Sequence, residues 1–553
     1  MAGEPSFPPF TPTAGELIRA AAANHGPRTL AVLGDRRLTY AEAEAQSAVL
    51  ARGLLATGAG KGSRIGLLAG NGPDWIVGWL GITRLGAIAV LLNTYSKAPE
   101  LGWLLRHGDV HTLLTVDAHL GHDYLARLEQ AVPGLADAEP ERILAPSQPY
   151  LRAVWTWGAA RRTSTRGGGS RPWARPVDQL AARGGEVPAD LLAACEAEVT
   201  PADPMVVVYS SGSTADPKGA VHSHGAVVRH AHNLWPMRDL VRDDVLYTPM
   251  PLFWVGGLSF TLIAALHAGA TLVFEDQFEP GATLALIERE RVTQVLGWPH
   301  MGKALMDHPS YPERDLSSIR GGTLAALQPD AAAGGAPPKA NSLGMTETLG
   351  PHTFDAYDAP LPPGKEGSFG RSVPGVEHRL VDPVTGEDVP VGATGELWVR
   401  GYSLMLGLHK REGADTFTPD GWYPTGDGGH FDEDGHFYFT GRLGEGIKSS
   451  GMNVTPRDVE LALEAQPEVA LAFVTGIPHA HRGQDVVAAI ALRPGDTLDE
   501  DQARKRVKEA IASYQVPRHI AVYGDQTELP WLDSGKLDRR RLATILGERF
   551  WED

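Results

Sequence analysis

A chain of 553 residues is too long for one hydrophobic core, so at least two domains are expected. Its composition, 42% hydrophobic and 21% charged with 64 Gly and 42 Pro, is that of a turn-rich globular protein and not of a long helical bundle. Fifty Lys and Arg against 67 Asp and Glu leave a net charge of −17, which argues against nucleic acid or an anionic membrane as the main partner while leaving room for a local basic pocket. The single cysteine, Cys195, cannot form an internal disulfide, and residues 1–10 lack a basic cluster followed by an apolar run. Together these predict a protein of the reducing cytoplasm.

In chain order, Leu38-Thr39-Tyr40 opens a helical pattern over residues 41–57, with apolar residues every three to four positions. A strand over 64–69, a helix over 75–85 and a strand over 87–92 follow; Thr83 and Arg84 interrupt that apolar run, so it reads as buried helix and strand, not as a membrane span. The alternation resumes with 205–208, 226–232, 270–274 and 292–296, predicting a mostly parallel sheet covered by helices. Residues 158–176, with five arginines among Gly and Ser, read as a mobile surface loop or as an arm for a phosphate or partner; 329–339 are also loop-like. From about 364 to 439, short strands separated by Gly, Pro and Asp form a small β-rich subdomain. After Gly441 an α+β unit runs to the end, with a helix near 500–512.

The strongest local signal runs from Val206 to Gly219: an apolar strand enters Ser210-Ser211-Gly212-Ser213-Thr214-Ala215-Asp216 and closes on Pro217-Lys218-Gly219. Hydroxyls and free backbone N–H groups suit a polyphosphate, and Lys218 adds a compact positive charge. This is not the G-x-x-x-x-G-K-[ST] nucleotide loop, because Pro217 and Gly219 flank the lysine. No His is followed by Glu and no G-x-S-x-G occurs, so those hydrolase chemistries have no support.

The loop resembles the [ST]-[ST]-G-[ST]-[ST]-G-x-P-K-G segment of the adenylate-forming superfamily, which includes acyl-CoA synthetases, luciferases and peptide-synthetase adenylation domains; Ala215 stands where Gly is common. Further segments match in family order along nearly the whole chain. Gly321-Gly322-Thr323 resembles the segment bordering adenine and the acid pocket. Leu343-Gly344-Met345-Thr346-Glu347 resembles Y-G-x-T-E, with Leu343 in place of the usual adenine-stacking aromatic. The resemblance implies that Thr346 bonds the α-phosphate and that Glu347 holds Mg²⁺, a hard cation suited to oxygen ligands. In Trp422-Tyr423-Pro424-Thr425-Gly426-Asp427, Asp427 takes the place of the ribose-binding carboxylate, and Arg442 that of the ribose- and phosphate-facing arginine. The run from Gly441 to Pro456 resembles the junction between the large and small domains, with Gly444 at the hinge and Gly451 on the CoA tunnel. Lys536, in Ser534-Gly535-Lys536-Leu537, resembles the lysine that bridges the attacking carboxylate and the α-phosphate.

The implied architecture is α/β: a large domain over 1–441, of two α/β subdomains and a β-rich one, followed by a small mobile α+β domain over 442–553. The implied activity is ATP-dependent formation of an acyl-AMP and transfer to CoA. Trp254 replaces a frequent His in Pro251-Leu252-Phe253-Trp254-Val255-Gly256-Gly257, making it a candidate gate; with Gly257 and Trp298 it favours a short or aromatic acid. That departure, with Gly444, keeps open an amine, a carrier thiol or nitrite-dependent diazotisation of an arylamine as the second step. A non-catalytic scaffold fits poorly with Lys218, Glu347, Asp427, Arg442 and Lys536 all present. A homodimer stays open.

Overall fold

Helices begin where a side chain can satisfy the first free backbone N–H groups. Thr39 Oγ1 accepts from the Glu42 N–H at 3.1 Å while the Glu42 carboxylate accepts from the Thr39 N–H at 2.8 Å, and this reciprocal cap starts helix Tyr40–Ala56. Strand Arg64–Leu68, helix Pro73–Arg84 and strand Ile88–Leu91 follow in the expected order. The computed structural model describes residues 4–140, 142–158, 171–210, 217–324, 327, 341–355, 361–443, 446–449, 452–479, 483–511, 515–532 and 537–550.

Among these residues the largest sheet has eight strands, and it is mostly parallel as expected. Pro204–Ser210, Ile88–Leu91, Arg64–Leu68, Thr112–Val116, Ala153–Trp157 and Ala174–Pro176 pair in parallel, in that order across the sheet. Lys218–Ser223 and Gly407–Leu408 add an antiparallel edge beyond Pro204–Ser210. The inner strands are apolar almost without break because helices cover both faces; Met205 to Val208 are at most 1% exposed. A second, six-stranded sheet runs Gly321–Gly322, Gln294–Val295, Val245–Tyr247, Thr271–Phe274, Thr29–Leu33, Arg36–Thr39, parallel except at the last pair. The hairpin Leu343–Met345 with Gly350–Phe354 belongs to a small third sheet.

Where the Gly- and Pro-rich texture predicts a small β-rich subdomain, Gly395–Gly401, Tyr423–Phe431 and Phe437–Arg442 pair antiparallel. Val376–Val381, Gly395–Gly401, Tyr423–Phe431 and Phe437–Arg442 form one sheet. The C-terminal α+β part holds a five-stranded sheet centred on Val469–His479 and Gly483–Leu492, with helix Glu500–Ala510 capped by Asp499. By contact the chain divides into two compact units: Met1–Glu377 with Arg400–Gly421, and His378–Val399 with Trp422–Asp553. Among the described residues no helix is long and apolar enough to cross a membrane.

The end of the arginine-rich stretch departs from the loop expected there. Trp173 is fully buried and donates to Glu129 at 3.0 Å, Arg171 pairs with Glu129 and Asp123, and Ala174–Pro176 is a strand; Arg175 lies over the Trp155 ring. A buried indole with a paired N–H anchors these residues. The rest of the stretch, 159–170, lies outside the described residues, as do 329–339.

At the C-terminal edge of the six-stranded sheet, Glu275 accepts hydrogen bonds from the Tyr247 hydroxyl and, at 2.9 Å, from Thr283. Burial raises the Glu275 carboxyl to about 7, against the pull of both hydrogen bonds. The folded chain therefore keeps a proton that the unfolded chain releases, so stability falls as pH climbs from the ordinary value of 4.5 to about 7 and levels off above it. The neutral isostere Glu275→Gln should remove that slope. Thermal midpoints should show its advantage over the wild-type chain widening from about pH 5 to about pH 7; an equal margin throughout would refute the assignment.

Candidate functional site

Strand Pro204–Ser210 leads into the hydroxyl-rich stretch expected to hold phosphates. Its last residue, Ser210, lies opposite Lys218, the first residue of the neighbouring antiparallel strand. Both ends of the hydroxyl-rich turn are thus held at one place, although Ser211, Gly212, Ser213 and Thr214 themselves lie outside the described residues. Behind the turn, the buried Tyr209 hydroxyl is 2.9 Å from His107 Nδ1, and the His107 ring stacks on Trp103 at 4.4 Å. On the outer edge the His409 N–H donates to the Gly219 carbonyl at 2.7 Å, and the Leu406 N–H to that of Val221 at 2.7 Å.

The Thr346–Glu347 segment is the turn between strands Leu343–Met345 and Gly350–Phe354, so its side chains follow a tight hairpin. Gly344 is required there, because a Cβ would meet the Gly350 and Pro351 backbone at 2.6 Å. His222 Nε2 lies 2.8 Å from the Thr346 carbonyl and His230 Nε2 lies 2.9 Å from the Pro351 carbonyl, while the Met405 N–H donates to the Glu347 carbonyl at 2.8 Å. Glu347 is buried, whereas Thr346, Leu343 and Met345 are half-buried. His222 and His230 are fully buried, and burial lowers each to about 4, so both are neutral at ordinary pH.

Gly321 and Gly322 pair in parallel with Gln294–Val295. Gly322 sits at φ +117°, and a Cβ would lie 2.2 Å from the Val295 carbonyl oxygen, so only glycine fits. Thr323 Oγ1 donates to the Gly297 carbonyl at 2.8 Å and accepts from its N–H at 2.9 Å, tying this segment to the residue before Trp298. Trp298 is half-buried at the start of helix Pro299–Met306. Trp254 is also half-buried and packs against Phe253 (5.4 Å) and Tyr95 (6.3 Å). Asn71 holds the preceding turn by donating to the Met250 carbonyl and accepting from the Leu252 N–H, both at 2.8 Å. Beyond the buried Gly257 the chain makes a turn of π-helix, Leu258–Ile263, a form that often marks a functional position.

In the other unit, Asp427 and Arg442 are register partners, and Arg442 Nε donates to Asp427 Oδ1 at 3.0 Å. The carboxylate side chain is 5% exposed and the guanidinium 50%, so the acid is fixed while the arginine still reaches solvent. Thr425 Oγ1 accepts from the Asp427 N–H at 3.0 Å and donates to the Leu397 carbonyl at 2.6 Å; Glu396 accepts from the Gly426 N–H at 3.0 Å. Gly444, Gly451 and Lys536 lie outside the described residues. The sequence reading did not single out His222, His230, Asn71 or Glu396. Only His222 had a local signal, since it shares a strand face with Lys218 four residues earlier.

The AMP-binding enzyme family model matches residues 18–409, and that of the AMP-binding enzyme C-terminal domain matches 458–536. The chain is 31% identical over 544 residues to the acyl-CoA ligase SID4 of Ajellomyces capsulatus, covering 93% of this chain and 87% of that protein. It is 31% identical over 524 residues to the indoleacetate–CoA ligase of Aromatoleum aromaticum, covering 93% and 94%. Among solved structures, the amide bond synthetase McbA from Marinactinospora thermotolerans superposes with a TM-score of 0.76 at 26% identity, covering 96% of this chain and 99% of that one. Since the first match alone takes in most of the chain and spans both the phosphate strand and the Thr346–Glu347 hairpin, the chain belongs to the AMP-binding enzyme family and is an ATP-dependent, AMP-forming ligase.

Proposed function

We propose that the chain activates a small or aromatic carboxylic acid as its acyl-AMP and transfers the acyl group to CoA. One observation carries the reading: the strand that begins at Lys218 also holds, through His222, the Thr346 carbonyl, so the lysine and the Thr346–Glu347 turn share one hydrogen-bonded frame. The names of the two CoA ligases above support a thioester product, and the aromatic packing of Trp254, Phe253 and Tyr95 favours a short or ring-bearing acid.

In the first step a carboxylate oxygen attacks the α-phosphorus of ATP, the bond to the bridging oxygen breaks, and pyrophosphate leaves. Ser210, Ser211, Gly212, Ser213, Thr214 and Lys218 cradle the departing phosphates, and the Thr346 hydroxyl bonds an α-phosphate oxygen. Asp427 receives the ribose hydroxyls, with Arg442 beside it, and Gly321, Gly322, Thr323, Leu343, Gly344 and Met345 border the adenine. Among the described residues no group of three or more His, Cys, Asp or Glu could hold a metal by itself. A single buried carboxylate, Glu347, would hold a Mg²⁺, which would neutralise phosphate charge when bound. Lys536 bridges two anions, the attacking carboxylate and the α-phosphate, which otherwise repel each other. In the second step the CoA sulfur attacks the acyl carbonyl carbon and AMP leaves with the bonding electrons. Residues 442–553 turn about Gly444 between the steps, Gly451 borders the CoA tunnel and Trp254 gates it, with Gly257 and Trp298 lining the acid pocket. The setting is cytoplasmic.

Pyrophosphate release measured across a panel of acids, nitrite and amines, with and without CoA, tests the whole reading. Acid-dependent release followed by CoA-dependent AMP release is expected; AMP formation from nitrite and an arylamine without CoA would overturn it. Lys536→Ala should slow adenylation by about a thousandfold while largely sparing transfer from preformed acyl-AMP. Equal loss of both half-reactions would remove the role given to Lys536.

A further inference from the structure

Along Lys218–Ser223 alternate side chains share a face, so Lys218, Ala220 and His222 point to the same side. His222 is 0% exposed, and its Nδ1 has no hydrogen-bond partner among the described residues. The proton therefore belongs on Nε2, which donates to the Thr346 carbonyl at 2.8 Å. That carbonyl is the backbone of the turn presenting Thr346 and Glu347, and the next carbonyl, that of Glu347, is held by the Met405 N–H. From helix His224–Leu234, capped by Ser223, His230 holds the far strand of the same hairpin at Pro351. Packing alone would be met by an aliphatic side chain at position 222; a neutral imidazole there adds one directed donor to one carbonyl.

We propose that His222 is a positioning residue for ATP: by donating to the Thr346 carbonyl it keeps the Thr346–Glu347 turn in register with the strand that carries Lys218. This rests on the adenylating role given above to that turn. Removing the donor leaves a carbonyl buried without its partner, and the turn relaxes away from the phosphates to regain one. Binding of the acid involves other segments and stays unchanged.

The test uses the full chain and three substitutions. Gln can place an amide N–H about where Nε2 lies, the shorter Asn cannot, and Leu fills space without a donor. Calorimetric titration with MgATP, which needs neither acid nor CoA, should show His222→Leu and His222→Asn weakened about tenfold and His222→Gln within about threefold of the wild-type chain. In pyrophosphate exchange, KM for ATP should rise in the first two while KM for the acid does not. Should His222→Leu fail to fold, the Asn and Gln variants decide alone. Unchanged MgATP affinity in the folded donor-less variants, equal losses in Gln and Asn, or an equal rise in KM for the acid would overturn the proposal. A wild-type chain that binds MgATP but yields no thioester would instead sink the CoA reading and leave the affinities to decide on His222.

Discussion

Ser210 and Lys218 face each other at the ends of adjacent antiparallel strands, so the residues between them leave and re-enter the sheet at one point. That constraint comes from the sheet and not from the loop. Pro204–Ser210 is also paired in parallel with Ile88–Leu91, and the apolar residues leading to Ser210 are buried on both faces. Strand pairing therefore fixes both ends of this stretch, whatever its own composition contributes. Ser210 stands at the carboxyl end of a parallel strand, where open α/β sheets take their ligands, and Gly321–Gly322 is a two-residue parallel edge strand of the second sheet.

Each compact unit holds its share of polar groups with contacts of its own. In the first, Lys218 and the Thr346–Glu347 turn are joined through His222, and Thr323 grips Gly297. In the second, Arg442 and Thr425 fix Asp427 while Glu396 fixes the Gly426 N–H just before it. Within each unit, groups that must keep their spacing lie on shared or paired strands, so the spacing is set by strand pairing inside that unit.

What could be read from sequence is what depends on neighbours in the chain. The start of helix Tyr40–Ala56 is legible because its cap is made by Thr39 and Glu42, three residues apart. The hydroxyl-rich stretch stands out in the sequence because its residues are consecutive, and the parallel sheet is legible because apolar strands alternate with helical periods. His222 bonds a carbonyl 124 residues away, and Asn71 bonds Met250 and Leu252 across 179 and 181 residues. One histidine among twenty, marked locally only by sharing a strand face with Lys218, gives no indication of which distant carbonyl it bonds. The end of the 158–176 stretch failed for the opposite reason: glycine, serine and arginine dominate the composition of the stretch as a whole, and a single tryptophan, Trp173, decides the structure of its last residues by being buried.

A net charge of −17 has the wrong sign for a chain that takes ATP as substrate, yet charge matters over a limited range. At physiological ionic strength exposed charges are screened within about 8 Å, so most of the surplus acid groups exert little force at the phosphate strand. What acts there is near at hand: the ammonium of Lys218, at the start of the strand paired with Pro204–Ser210. The buried histidines beside the hairpin add directed N–H dipoles while staying neutral, which orders the Thr346–Glu347 turn without placing another full charge in the interior. A lysine or arginine at position 222 could hold the same carbonyl, but taking its charge out of water would cost more than the hydrogen bond returns. A neutral donor at the back and a cation at the front is the arrangement that fixes the turn and still leaves the positive charge where a polyphosphate can use it.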